Sequence, residues 1–499
     1  MQFKKSLMAA SVLVAVPVVS YAQLEEVVVT ASKRSESLQD VPMAITAISA
    51  EQITRLGASD FADLATTVPS LSLRSSGPGR TKLNIRGISA ATGVAPTVSF
   101  YIDEMPIQII SSGSSTSFQQ ANLDPKLYDL ERIEVLRGPQ GTLYGSSSMG
   151  GTVRLITRQP AVGENEGSIN FDLSNTEKGG VNYIANGMAN LATGDNSALQ
   201  TTAVRLTYRY EFENAYIQPS VFYQDLEMDG KPNYYGPDDE FEQPALFDAP
   251  EPYEDQFTMG NLTYGHSLSG VDLLASLSYI ERDTDNTEDI TDATNNLFAE
   301  DVGPALMPVF ADESVDLEDT TFEARINSNN NERLHWLGGI YYKDSEADAG
   351  YRMQRGFDPA INPAGLANTQ DKRTYEEYAV FSEVTWEFLE SFSLTLGGRY
   401  LDYTYEQFKE DWGLAFSGGP RDTANQLDLS ISDQEVQGKL TGTWHYTEDS
   451  QLYATVSNGT RPGGGNRTVP RSTNPADTIA FACNQDLNEL GIAGTPDSF

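Results

Sequence analysis

From about residue 166 onward, apolar and polar side chains alternate one by one over runs that are long for a soluble sheet. In GSINFDLS, Ile169, Phe171 and Leu173 fall on one face and Ser168, Asn170 and Asp172 on the other. AVRLTYRYEF sets Val204, Leu206, Tyr208, Tyr210 and Phe212 against Arg205, Thr207, Arg209 and Glu211. EVQGKLTGTWHY sets Val436, Leu440, Trp444 and Tyr446 against Gln437, Lys439, Thr441 and His445. Successive strand residues point to opposite faces, so the pattern commits this region to β-structure with one apolar and one charged face. Soluble sandwiches use shorter strands, whereas a lipid-facing barrel with a polar lumen has this alternation. Short turns near 213–214, 267–270, 329–332, 389–391 and 447–450 alternate with polar excursions near 227–255, 282–319, 344–373, 406–433 and 459–499. That asymmetry is the outer-membrane arrangement of short periplasmic turns and long outer loops. Upstream of 201 the count is off by one strand, which points to a deleted or degenerate strand around 190–200.

The N-terminus carries an export signal. Lys4 and Lys5 precede the apolar run 7–19, and Ser20-Tyr21-Ala22 supplies a small-x-small cleavage site. The apolar run is too short to span a bilayer, so residues 1–22 read as a signal peptide and Gln23 as the first mature residue. Behind it stands LEEVVVTASKR, strand-prone through Val27, Val28 and Val29, with no nearby segment to pair with.

Residues 35–160 obey a different pattern, that of a compact mixed α/β unit. Ser49-x-x-Gln52 resembles a capping box and opens a helix that Gly57 breaks, and a second short helix over 60–67 stops before Pro69. Short strands follow in KLNIRGI, VSFYIDEMPI, residues 130–135 and GTVRLITRQP, punctuated by dense Gly and Pro at 77–79, 138–141, 145 and 150–151. The run LRGPQGTLYG lacks the Lys-Ser/Thr of a phosphate-cradling loop and reads as tight reversals.

Five motifs in order give the chain a resemblance to TonB-dependent outer-membrane receptors: EEVVVTA behind the signal, LNIRGI (83–88), FYIDEMPI (100–107), LERIEVLRGPQGTLYGSSSMGGTVRLITRQP (130–160) and LYATVSNGTRPGGGN (452–466). The resemblance implies a mostly β chain: a small mixed α/β plug domain inside a transmembrane antiparallel β-barrel. It also implies a domain order of signal peptide (1–22), TonB box and linker (23–37), plug (38–160) and barrel with long extracellular loops (161–499). Glu25, Glu26, Val27, Val28, Val29, Thr30 and Ala31 would be the TonB box, adding as an edge strand to the sheet of the periplasmic energy transducer TonB. Arg86 of IRG and Arg137 of LRG would pair with glutamates on the inner barrel wall, because a buried guanidinium needs partners. The implied function is active import of a scarce small-molecule ligand across the Gram-negative outer membrane. The cargo would be a ferric siderophore or similar iron complex, with cobalamin and glycans as alternatives. An adhesin or passive channel on the same barrel would need no TonB box.

Composition and motifs narrow the rest. With 71 acidic against 33 basic residues, net charge −38, the chain lacks the basic footprint that nucleic acid requires. The sequence DTDNTED (283–289) opens like a calcium loop, but Glu288 occupies the glycine position and Thr294 the bidentate position, so no metal is expected. The carboxylate-rich stretch 281–319 is expected to be a solvated loop. No HExxH and no G-x-S-x-G occur, the three histidines fall on separate strands, and haem-receptor FRAP and NPNL motifs are missing, so neither an enzyme nor a resident cofactor is expected. Cys483 is the only cysteine and cannot form an internal disulfide. About 12 candidate strands follow residue 165, against the 22 of plugged transporters. A barrel with open edges is not viable in hydrocarbon. The chain is therefore expected to be a truncated receptor with no heat-modifiable barrel of its own, a non-functional fragment being the alternative to an importer.

Overall fold

The computed structural model describes residues 28–58, 61–65, 67–75, 81–89, 96–107, 125, 127–159, 166–176, 180–191, 203–228, 251–291, 309–330, 333–355, 367–413, 421–447 and 450–461. Residues 1–22, read above as a signal peptide, Glu25 to Val27 and Cys483 lie outside them. Residues 28–159 hold β1 (Val28–Val29), β2 (Glu36–Ser37), β3 (Ala44–Ser49), α1 (Ala50–Leu56), α2 (Phe61–Ala65), β4 (Leu71–Ser75), β5 (Thr81–Ile85), β6 (Val98–Ile102), β7 (Met105–Pro106), β8 (Leu130–Arg137), α3 (Gly141–Tyr144) and β9 (Gly151–Thr157). Then come β10 (Glu166–Thr176), β11 (Gly180–Leu191), β12 (Ala203–Tyr208), β13 (Tyr210–Phe212), β14 (Ala215–Met228), β15 (Tyr253–Leu268), β16 (Val271–Asp289) and β17 (Val309–Ser328). The series ends with β18 (Leu334–Arg355), β19 (Ala367–Leu389), β20 (Phe392–Trp412), β21 (Asn425–Thr447) and β22 (Ser450–Ser457).

The plug is built on a five-stranded sheet, order β3-β8-β9-β6-β7. Its first helix starts where the sequence predicts: Ser49 Oγ accepts from the Gln52 N–H and Gln52 Oε1 accepts from the Ser49 N–H, a complete capping box, and Gly57 in the left-handed region closes it. The glycine pair at 150–151 lets β9 enter between β8 and β6. A Cβ at Gly151 would sit 2.2 Å from the Leu136 carbonyl oxygen and 2.8 Å from Ile85 Cδ1. Backbone cannot yield as a flexible side chain would. Gly151→Ala is expected to cost the plug about 1–3 kcal/mol or more, read as a lower denaturant midpoint and faster proteolysis of residues 130–157.

The wall is a 13-stranded meander from β10 to β22, and among the described residues β10 and β22 do not pair, so the barrel is not closed. The alternation foreseen in sequence is realised inside out. Val436 and Leu440 are exposed at 71% and 47% while the residues that follow each, Gln437 and Thr441, are fully buried. Two belts of outward aromatics bracket the apolar band. Trp386, Phe392, Trp444 and Tyr446 stand at the short-turn end and Tyr279, Tyr342, Tyr378 and Tyr400 above, with Phe392 and Trp444 stacked at 5.8 Å. From Phe392 to Tyr400 along β20 is eight residues, about 26 Å of strand, close to the roughly 9–11 residues with which a tilted strand crosses a bilayer.

Two sequence expectations are corrected. Residues 281–319 are not one surface loop: β16 runs to Asp289 and β17 begins at Val309, fully paired with each other. Alternation persists there in polar residues, with Arg282, Thr284 and Asn286 buried inward while Glu281, Asp283 and Asp285 face out. The strands, of 19 to 23 residues, therefore rise well beyond the roughly 9–11 that cross a bilayer. The strand deficit near 190–200 has a structural counterpart, since β11 and β12 pair in parallel within an otherwise antiparallel wall.

Candidate functional site

The N-terminal strand is not partnerless. Val28 and Val29 pair antiparallel with Ser37 and Glu36, a two-stranded sheet of its own whose turn contacts the wall through Lys33. Val29, Ala31, Ser32 and Lys33 are buried. The reason is that the turn between these strands finds polar partners on both plug and wall. Thr30 N–H donates to Glu134 Oε1 at 2.9 Å, and Thr30 Oγ1 accepts from Arg154 Nη1 at 2.7 Å. Tyr144 Oη donates to the Ala31 carbonyl at 2.8 Å. Lys33 takes a left-handed conformation, φ 59°, with its N–H donating to the Thr30 carbonyl. That conformation is unusual outside glycine and is held by a two-oxygen contact of Lys33 Nζ with Glu323, 2.5 Å to each oxygen.

These contacts are the two ends of one chain of alternating charge. Arg132 pairs with Glu134 (2.8 Å), Glu134 with Arg154 (2.9 Å) and Arg154 with Glu104 (3.7 Å). Glu104 then pairs with Arg325 (2.6 Å), Arg325 with Glu323 (3.0 Å), and Glu323 with Lys33. The chain begins beside Thr30, passes through the β6–β7 turn of the plug, crosses to strand β17 of the wall, and returns to Lys33. Glu134 and Arg154 are almost wholly buried, so each depends on the other and on its neighbours for compensation. Burial alone would raise the Glu104 carboxyl, but Arg325, Arg154 and Lys33 together hold it well below the usual carboxylate range.

Burial acts on Lys33 in the opposite sense from its partner: desolvation, against the pull of Glu323, lowers the amine to about 8. The docked segment therefore binds fewer protons than the released one between pH about 8 and 10.5. Raising pH through that window should hold the segment more tightly, by at most about 1.4 kcal/mol per unit. A spin label at exposed Ser35 should lose mobility over that range, and Lys33→Met should abolish the dependence.

Elsewhere the plug meets the wall in further places. Asp129 pairs with Arg205 of β12, Ser146 Oγ donates to Glu377 Oε2 of β19 at 3.2 Å, and the Ser147 N–H donates to the Thr460 carbonyl at 2.9 Å. Arg86 lies beside Gly138, the residue that follows Arg137: a side chain on Gly138 would begin 3.1 Å from Arg86 Nη1. Arg86 is exposed, Arg137 is half-buried with its Nε unpartnered, and no wall carboxylate among the described residues pairs with either. The wall–plug ion pairs that are present use Lys33, Glu104 and Asp129 instead, residues that sequence reasoning did not single out. Two signals existed: Glu323 and Arg325 sit at i and i+2 on the inward face of EARINS, and Asp103-Glu104 form a polar turn within FYIDEMPI.

Known proteins share these features. Residues 37–152 match the family model for the TonB-dependent Receptor Plug Domain, and residues 163–488 match that for the TonB dependent receptor-like β-barrel. The Pesticin receptor of Yersinia pestis is 26% identical over 518 residues, covering 95% of this chain and 70% of that protein. Among solved structures, the ferric yersiniabactin uptake receptor FyuA of Yersinia pestis superimposes with a TM-score of 0.65 at 16% identity, over 86% of this chain and 66% of that one. The ferripyoverdine receptor of Pseudomonas aeruginosa gives 0.58 at 13% identity, over 88% and 59%. The chain thus spans about two thirds or less of the solved receptors it resembles. With a plug sheet lodged against an inside-out meander wall and family models matching both parts, the chain belongs to the TonB-dependent receptors of the Gram-negative outer membrane.

Proposed function

We propose that this receptor imports a ferric siderophore or similar iron complex into the periplasm, driven by TonB pulling on residues 25–31. The observation that carries the reading is the charge chain, which joins the end of that segment, the plug and wall strand β17 into one structure. A plug displaced by bound cargo cannot keep Glu104 on Arg325, and the loss reaches Lys33 and Thr30. Cargo binding and exposure of the TonB box are then two sides of one equilibrium. Iron cargo is supported by the relatives, among them the ferric yersiniabactin uptake receptor and the receptor solved with ferripyoverdine. The outer excursions that would first meet cargo, including 229–250 and 292–308, lie outside the described residues.

The test is uptake of radiolabelled iron, offered as ferric yersiniabactin or ferric pyoverdine, by cells whose own siderophore receptors are deleted. Iron should accumulate only when both this protein and TonB are present. Accumulation of labelled cobalamin instead, or iron entry that persists without TonB, would overturn the proposal.

A further inference from the structure

The charge chain grips Thr30 and Lys33, but Ala31, between them, is held from another side. Ala31 is wholly buried, and its carbonyl accepts from Tyr144 Oη at 2.8 Å. The Tyr144 ring is itself fixed. Tyr101 meets it edge-on at 5.2 Å, Arg154 lies over it at 5.7 Å and Lys33 Nζ at 5.4 Å. Leu143 and Tyr144 are buried in one apolar cluster with Ala31, Leu337 of β18 and Phe381 of β19. The rest of α3 is seated on the next strands of the wall. A Cβ on Gly141 would meet Gln437 Oε1 of β21 at 2.3 Å, and one on Gly145 would meet Arg399 Nη2 of β20 at 3.1 Å. Ser146 Oγ donates to Glu377 of β19 at 3.2 Å, and Glu377 also accepts from Arg399 at 2.7 Å and from Tyr375 Oη at 2.6 Å. A movement of α3 off β19–β21 therefore carries the Tyr144 hydroxyl away from Ala31.

We infer that Tyr144 is a positioning residue of the importer: its hydroxyl latches Ala31 to α3, and so to β19–β21, independently of the charge chain that ties Lys33 to β17. The inference rests on the importer reading above. A buried carbonyl that loses its donor is strongly disfavoured, whereas the same carbonyl in a released segment bonds water. The hydroxyl therefore stabilises only the docked segment. With two latches on different strands, release in the empty receptor requires both to open together. Cargo has to disturb α3 as well as the β6–β7 turn before the transducer meets a free segment, which keeps TonB from working on an unloaded receptor.

The test measures amide exchange at residues 28–33 in outer membranes from cells producing the full chain, without cargo. Tyr144→Phe removes the hydroxyl and keeps the ring between Arg154 and Lys33. Exchange at 28–33 should accelerate about tenfold, the effect of one buried hydrogen bond, while β8 and β9 exchange as before. The pH response of the Ser35 spin label should persist, because Lys33 and Glu323 are untouched. Combined with Arg325→Ala, the two accelerations should multiply. Ser146→Ala loosens α3 from Glu377; it should accelerate exchange a few-fold alone and add nothing to Tyr144→Phe. Unchanged exchange at 28–33 in Tyr144→Phe overturns the latch, and so does an acceleration that spreads equally to β8 and β9. Loss of the pH response, or a double variant no faster than Arg325→Ala, overturns its independence from the charge chain. A Ser146→Ala effect that persists undiminished in Tyr144→Phe overturns the link through α3. Failure of the unaltered chain to import iron overturns the importer reading instead, an outcome separate from exchange measured without cargo.

Discussion

Arg325→Ala is expected to free the N-terminal segment in the absence of cargo. Arg325 donates to both oxygens of Glu104, at 2.6 and 3.0 Å, and to Glu323 at 3.0 Å. All three side chains are largely buried. Removing the guanidinium leaves Glu104 with one longer contact to Arg154 at 3.7 Å and Glu323 with Lys33 alone. Losing one partner of a buried pair typically costs about 3–5 kcal/mol, so the docked segment should change from the dominant state to a minor one. Hydrogen exchange over residues 28–33 should become fast, and TonB should bind the unloaded receptor. Arg325→Lys keeps the charge but loses the two-pronged geometry and should fall between the two. If exchange at 28–33 were unchanged in Arg325→Ala, the charge chain would hold the plug without controlling the segment.

Val28→Pro should separate grip from latch. Proline removes a ladder donor and fixes φ, so it weakens pairing with β2 and with any incoming strand of the transducer alike. The Thr30 and Lys33 contacts with Glu134 and Glu323 are untouched by the change. Iron accumulation should drop to that of cells without the receptor, while cargo binding at the cell surface is retained. Together the two variants assign different tasks to neighbouring residues: Arg325→Ala raises TonB binding and Val28→Pro removes it. Import that survived Val28→Pro would reduce residues 25–31 to a tail.

How much of this could be read in advance differs sharply between fold and site. Inward Gln437, Lys439 and Thr441 and outward Val436 and Leu440 are legible in the sequence, because a strand's two faces are set by its own covalent geometry. The capping box at Ser49 was equally local. The acidic composition of 281–319 suggests a loop, but Arg282, Thr284 and Asn286 keep the strand alternation, and period decides the conformation. The two arginines chosen for the plug–wall lock, Arg86 and Arg137, come from motif resemblance. The pairs the described structure contains, Lys33–Glu323 and Glu104–Arg325, join residues more than two hundred positions apart.

The sequence by itself determined a β-wall with one apolar and one polar face, since period and turn spacing are properties of short segments. Only the tertiary structure decided that Val29 and residues 31–33 are buried and that the segment is tied at both ends of a charge chain. Whether a strand-prone segment pairs with β2, with another protein or with nothing depends on the height at which two separately folded units meet. That height fixes which inward charges of β17 face Lys33 and Glu104, and ion pairing at 2.5–3 Å is decided by such placement rather than by any local pattern.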